Sequence, residues 1–278
     1  MSSGEKNWGK NYRTLIHDQM KKKYRNRIII DKLVSIFAIV CLVAAIVPLG
    51  SILLEIIKNG VGVLSFEFLT GPQGSIISGK GGIGPAIQGT IIVVGLASLI
   101  ATPVGVLTGI YLSEFAGIGI FPLAVRFLND MLTGLPSIVI GIVGYVTIVI
   151  AIGSFSVWAG ALALSIIMTP IVVRVTEETL KIVPHSIREG GYALGISKAK
   201  ITMNIVLTTA KSGVLTGIVL GIARIAGETA PLIMTILGTS LFFSSLSGPV
   251  DALPLRIWRL ASQPYEHAHA FGWGAALV

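Results

Sequence analysis

Hydrophobic positions in this chain fall into long uninterrupted blocks separated by short polar ones. A helix needs about 20 apolar residues to cross a bilayer, because about 1.5 Å of rise per residue must cover about 30 Å of hydrocarbon. Leu33–Leu54 carries no charge and meets that length. Ile83–Leu112 is a second such run, with Pro103 inside it. Met131–Val173 is uncharged throughout and suits two spans, divided by a tight turn at Gly153-Ser154-Phe155-Ser156. Ser212–Phe243 is a fifth run, interrupted by Arg224 and Glu228. A last apolar run opens at Ala270 and reaches Val278, too short to cross. The pattern predicts an all-α polytopic membrane protein with spans near residues 33–56, 85–112, 131–152, 157–175 and 212–238. A sixth span is expected to begin near residue 268, truncated at residue 278.

Composition agrees with this pattern. Only 12% of the residues are charged, against about 25% in soluble domains. The 33 glycines suit helices that approach closely. The net charge of +8 has an address. Lys6, Lys10, Arg13, Lys21, Lys22, Lys23, Arg25, Arg27 and Lys32 all precede the first apolar run, which reads as a positive-inside anchor and not as a nucleic-acid-binding arm. Residues 1–32 are thus expected to be a basic cytoplasmic tail, and residues 33–278 a transmembrane domain. With the N-terminus inside, the loop from Glu114 to Asp130 and the segment from Arg174 to Lys211 are inside as well. Ile57–Gly82, the Gly153–Ser156 turn and Ser244–His267 are then outside. Cys41 is a lone cysteine, so no internal disulfide forms. His17, His185, His267 and His269 show no shared metal-site geometry; His267-x-His269 has a spacing that could bind metal, and it reads as a solvated pair.

Two polar features interrupt the apolar pattern. The first is Glu189–Leu207, on the inner side. Pro184 suits a helix start, Ser186 and Glu189 have capping-box spacing, and Gly195 can end the helix in the left-handed conformation. Such a segment either rests on lipid headgroups or docks a soluble partner. The second feature lies in the fifth run. At about 100° per residue, Gly213, Gly217, Gly221, Arg224 and Glu228 fall within an arc of about 80°. The glycines predict close helix packing, and the charged pair is expected to face the bundle interior. A guanidinium recognises phosphate-like groups with a rigid charged fork, so Arg224 and Glu228 are candidates for an anion pathway. A salt bridge that locks two helices is the alternative, and the two roles are compatible.

The first feature also resembles the EAA motif of ATP-binding-cassette importer permeases. Glu189, Gly190, Gly191, Gly195, Ile205 and Leu207 stand at the full spacing of that motif. Glycines replace its two alanines, and Thr208 stands where proline is usual. Further segments, among them Leu132–Gly141, Ala223–Ile233 and Leu253–Pro264, are similar to the phosphate-specific permeases of the PstA type, covering nearly everything from residue 30 onward. The resemblance implies a MetI-like six-helix core and an inorganic-phosphate path working by alternating access. It implies that the EAA residues couple to an ATPase. It implies a PstC-type second permease, a PstB-type ATPase dimer and a PstS-type phosphate-binding protein as partners, in the prokaryotic plasma (inner) membrane. ATP with magnesium is expected to be used by the partner ATPase. This chain shows no GxxxxGK[ST] loop and no convergent catalytic set, so no cofactor and no enzymatic activity of its own are expected. A permease for sulfate or phosphonate, or a channel or carrier that works without an ATPase, are the competing readings.

Overall fold

The computed structural model describes the backbone of residues 4–74 and 81–278, with side chains at Tyr24 and from Ile28 onward within those ranges. His17, Lys80 and the basic side chains from Lys6 to Arg27 therefore lie outside the described residues, as does the middle of the glycine- and serine-rich loop after Thr70.

The backbone is already helical at Gly4, so the basic segment and the first apolar run form one helix, α1 (Gly4–Gly60), in place of a tail followed by a span. It carries the described part of a first compact unit, Met1–Lys58. None of its apolar window is buried, which suits a helix surrounded by hydrocarbon.

The second unit, Asn59–Val278, holds the other elements. After the short α2 (Phe66–Thr70) comes α3 (Gly84–Ile110), which widens into a π-turn at Tyr111–Phe115. Next are α4 (Ile120–Gly134) and α5 (Ser137–Gly144), the latter running through a π-turn at Tyr145–Val149 into α6 (Ile150–Ile152). Then come α7 (Val157–Ile182), α8 (His185–Ala193) and α9 (Lys198–Ile201). A third π-turn, Thr202–Val206, leads into α10 (Leu207–Ala226). The chain finishes with α11 (Ala230–Thr235), α12 (Leu253–Ala261) and α13 (Glu266–Leu277). Among the described residues, four continuous helices are long and apolar enough to cross a membrane, and a bent pair, Ile120–Gly134 with Ser137–Ile152, makes up to five.

Three boundaries differ from the hydropathy reading. The region from Glu114 to Asp130, expected as a loop, is largely helix α4. Its polar residues Arg126, Asn129 and Asp130 have helical spacing and face α7: Arg126 pairs with Glu177 at 2.9 Å and Asn129 donates to the Pro170 carbonyl at 3.3 Å. The span expected near residues 131–152 is instead broken by 101° between α4 and α5. Pro136 explains the break, because its ring disfavours helical geometry at Leu135, which is extended at φ −72°, ψ 136°. The span expected near residues 212–238 lies at Lys198–Ala226. A helix running on to Pro231 would drive the proline ring against the Gly227 carbonyl and lose a backbone hydrogen bond, so α10 stops at Ala226.

The core is organised around α7. Two thirds of its apolar window (67%) is buried, against 22% for α3 and 28% for the span containing α10. Small residues make this possible. A Cβ on Gly105 of α3 would stand 2.7 Å from Val172, and one on Gly109 would stand 2.6 Å from Thr176. Successive residues meet successive residues, so α3 and α7 run parallel. On the other side Gly213, Gly217 and Gly221 of α10 meet Thr179, Val175 and Met168 in reverse order, so α10 runs antiparallel to α7. Val93, Ala97, Ala101, Leu164, Met168, Val172, Ile225 and Leu232 fill the resulting core.

The ends of the bundle are tied by polar groups. Gly153 turns the chain at φ +76°, a conformation glycine adopts without strain, and the Ser156 hydroxyl caps α7 by accepting from the Ala159 N–H at 3.2 Å. At the same end the segment after α11 folds over the bundle: Thr90 accepts from the Leu253 N–H at 2.8 Å and Gln88 from the Phe243 N–H at 2.9 Å. Asp251 and Arg256 are buried there, and burial pushes the Asp251 carboxyl up and the Arg256 guanidinium down. Arg259 donates to the carbonyl of Leu237, a residue held at φ +58°.

Gly217→Val places its side chain against Val175 and should destabilise the protein by about 1–3 kcal/mol. Gly95→Val enters open space and should leave stability unchanged to within about 0.5 kcal/mol. Thermal or denaturant unfolding of the detergent-solubilised protein checks both.

Candidate functional site

Two groups of sequence-predicted residues sit in distinct places. The first comprises α8 and the segment from Leu194 to Leu207. Pro184 occupies the N-cap position with no side-chain cap, and Ser186 lies inside the first turn. The expected Ser186–Glu189 capping box therefore does not form, because proline with its fixed φ starts the helix upstream of Ser186. The other terminus agrees with the sequence reading. Gly195 adopts φ +72°, and its N–H bonds the Tyr192 carbonyl at 2.9 Å while the Ile196 N–H bonds that of Gly191 at 3.2 Å.

The α8 segment has two unlike faces. Arg188 and Gly191 point inward. A Cβ on Gly191 would stand 2.8 Å from the Ile201 side chain, so packing itself demands a very small residue there. Gly190 meets nothing within 4 Å. Glu189, Tyr192 and Leu194 face outward, with Leu194 left 79% exposed. Ile205 lies in the third π-turn and Leu207 opens α10. Both are half-buried, and Leu207 packs on a small core of Ile110, Leu180, Ile201 and Val206. The inward face is anchored by Arg188, whose fork grips Glu114 of the first π-turn at 2.5 and 3.1 Å. Its remaining donors reach the carbonyls of Leu180 at 2.9 Å and Val183 at 2.6 Å.

The second group is at the far end of α10. Arg224 occupies its last turn, and Glu228 lies past the helix end, on the turn into α11. The two were expected on one face of a continuous helix. The stop at Ala226 separates them, and a wide contact of 3.8 Å remains between Arg224 Nη2 and Glu228 Oε1. The Arg224 side chain is 55% exposed and that of Glu228 15%. Arg224 borders a cavity of about 60 Å³ whose other walls come from the α4–α5 elbow and α7, including Thr133, Ser137, Ile140 and Ile167. A guanidinium with free donors beside hydroxyl-bearing walls can take two oxygens of a tetrahedral oxyanion. Glu228 is near enough to offset its charge when no anion is present.

Sequence reasoning missed Glu114, Arg126 and Lys181. Glu177 accepts from both Arg126 at 2.9 Å and Lys181 at 2.5 Å, so it is buried yet paired. Arg126 also donates to the Leu112 carbonyl at 2.9 Å. The available signal was the helical spacing of Arg126, Asn129 and Asp130. Arg174 pairs with Glu178 at 2.5 Å and lies 3.7 Å from Asp130, inside a helix that continues to Ile182. Among the described residues no three metal-ligating side chains converge.

Comparison with known proteins gives this geometry a family. Residues 101–255 match the family model described as binding-protein-dependent transport system inner membrane component. The phosphate transport system permease protein PstA of Haemophilus influenzae is 42% identical over 82% of this chain and 80% of its own length. The probable phosphate transport system permease protein PstA of Methanocaldococcus jannaschii is 39% identical over 91% and 89% of the two chains. The PstA protein of Mycobacterium leprae is 34% identical over 89% and 83%. A chain of the MetNI methionine ABC transporter, solved in an inward-facing conformation, superposes with a TM-score of 0.55 at 16% identity, covering 69% of this chain and 87% of that one, which shows a shared fold. The buried α7, the glycine-lined helix contacts and the α8 linker are thus arranged on a MetI-like permease fold, and the chain belongs to the PstA family of phosphate transport system permeases.

Proposed function

We propose that this chain is the permease subunit of an ATP-driven importer and forms, with a second permease of the PstC type, the path for inorganic phosphate. The observation that carries this reading is Arg224, a guanidinium left open at the end of a span beside a cavity with hydroxyl-bearing walls. A charge is costly in a membrane, and one that is not tightly paired marks a pathway for its counter-ion. Arg224 would receive phosphate oxygens, and Glu228 would keep the site from holding the anion too tightly. The relatives' names supply the substrate.

In this proposal α8 rests in the cytoplasm, with the N-terminus on the same side of the plasma membrane. The outward face around Glu189, Gly190 and Leu194 meets an ATPase dimer of the PstB type, and a phosphate-binding protein of the PstS type docks at the opposite end. ATP with magnesium binds to the ATPase subunits; this chain contributes motion and no catalysis. Closure of the ATPase dimer moves α8, the spans alternate between outward and inward openings, and hydrolysis resets them. What supports the coupling role is the division of labour between Gly191, which packing requires, and Gly190, which packing does not.

Uptake of radiolabelled phosphate into proteoliposomes tests the path, using this chain together with the second permease, the ATPase dimer and the binding protein. Arg224→Gln should assemble normally and lose at least about tenfold in uptake, equal to about 1.4 kcal/mol, with Arg224→Lys intermediate. Uptake unchanged in Arg224→Gln removes the residue from the path. Uptake of sulfate in place of phosphate overturns the substrate, and uptake without ATP favours a channel or carrier. Leu194→Asp, on the exposed face of α8, should leave thermal stability unchanged and weaken copurification of the ATPase. Gly191→Val should instead lower stability through its clash with Ile201.

A further inference from the structure

The Arg188–Glu114 contact is more than a clasp inside the α8 linker. Its two side chains are 10% and 6% exposed, so the pair is shielded from water. The contact is bidentate, and a planar fork fixes orientation as well as distance. Arg188 also holds the carbonyls of Leu180 and Val183, around the end of α7. One side chain therefore fixes α8 to the end of α7 and to the end of α3. Glu114, in turn, does not ride on a regular helix. It lies in the π-turn Tyr111–Phe115, where the Ala116 N–H reaches back to the Tyr111 carbonyl at 2.7 Å. π-turns inside long helices concentrate at functional positions. The same π-turn is held from α4, since Arg126 donates to the Leu112 carbonyl and also pairs with Glu177 of α7. Among the described residues, Arg188–Glu114 is the one side-chain hydrogen-bonded link between α8 and this turn.

We propose that the Arg188–Glu114 pair is the joint that passes displacement of α8 into α3, with the π-turn as its point of attachment and Arg126 distributing the motion to α4. This rests on the reading that an ATPase drives α8. A buried ion pair adds little net stability compared with apolar packing of the same volume, but it defines geometry, and loss of one partner leaves an unpaired buried charge. The fork that would transmit a push is thus fixed in direction as well as distance, and the π-turn it grips closes on itself through the Ala116–Tyr111 bond at 2.7 Å. Arg188 and Glu114 are positioning residues: neither approaches the Arg224 cavity, whose walls come from other segments.

The test uses the complete reconstituted importer and reads two quantities. The first is phosphate transported per ATP hydrolysed. Glu114→Gln keeps the size and one acceptor but loses the charge, and it should lower that ratio about tenfold or more while ATP hydrolysis stays within about twofold. The exchanged pair Glu114→Arg with Arg188→Glu should recover part of the ratio. The second quantity is the distance between spin labels at Leu107 on α3 and Ala193 on α8, in a Cys41→Ser background. Wild type should give one distribution common to the nucleotide-free and ATP-bound states, because α3 moves with α8. Glu114→Gln should give two different distributions. If Glu114→Gln keeps both the ratio and the common distribution, or if transport and hydrolysis fall in proportion, the pair is only a fastener and the proposal fails. If the wild-type complex moves no phosphate, the substrate reading fails, and the label distances still decide the joint. If no ATPase associates with the wild-type chain, both fall together.

Discussion

Everything in this bundle depends on how closely other helices approach α7. No hydrophobic force drives one apolar helix onto another in lipid, so association rests on van der Waals contact and polar links. Gly105 and Gly109 bring α3 against Val172 and Thr176, and Gly217 and Gly221 bring α10 against Val175 and Met168. With both sides occupied at this distance, α7 is the buried axis and the remaining helices are arranged by what is left of its surface. Its buried carboxylate is satisfied by α4 and by its own last turn: Glu177 pairs with Arg126 and Lys181. At the ends of that axis lie α8 on one side and the cover formed after α11 on the other.

The two charged sites differ in how they treat water, and this separates their roles. Arg188 and Glu114 are buried, bidentate and fully supplied with partners, as a structural linkage must be. Arg224 and Glu228 are 3.8 Å apart and unequally exposed, which leaves the guanidinium available. A buried pair held this tightly could not exchange a solute; an open pair this loose could not hold two elements in register. Both lie on a fold shared with a chain of the MetNI methionine ABC transporter.

Much of this was legible in the sequence because it comes from period and length. The apolar runs marked α1, α3, α7 and α10, and the spacing of Gly213, Gly217 and Gly221 marked the face that meets α7. Gly195 announced its left-handed helix end, at φ +72°, and the Gly153–Ser156 turn was marked, though not that Gly153 would stand at φ +76°. What hydropathy hid has physical reasons. The α4 helix turns Arg126 and Asn129 toward polar groups of α7, so its buried side reads as polar and resembles a loop. The elbow at Pro136 and the stop before Pro231 are backbone effects that an apolar count does not register. The Arg188–Glu114 pair joins residues far apart in the chain, and only the fold brings them together.

The central claim is that the cavity beside Arg224 lies on an anion pathway. The most direct measurement is thiol labelling of Thr133→Cys, on the wall of that cavity, in a Cys41→Ser background within the assembled importer. On an anion pathway, a membrane-impermeant reagent should label this cysteine from opposite sides in the ATP-free and ATP-bound states, with phosphate slowing the reaction only when Arg224 is present. A cysteine that stays unlabelled from both sides, or that reacts at the same rate with and without phosphate, would contradict it.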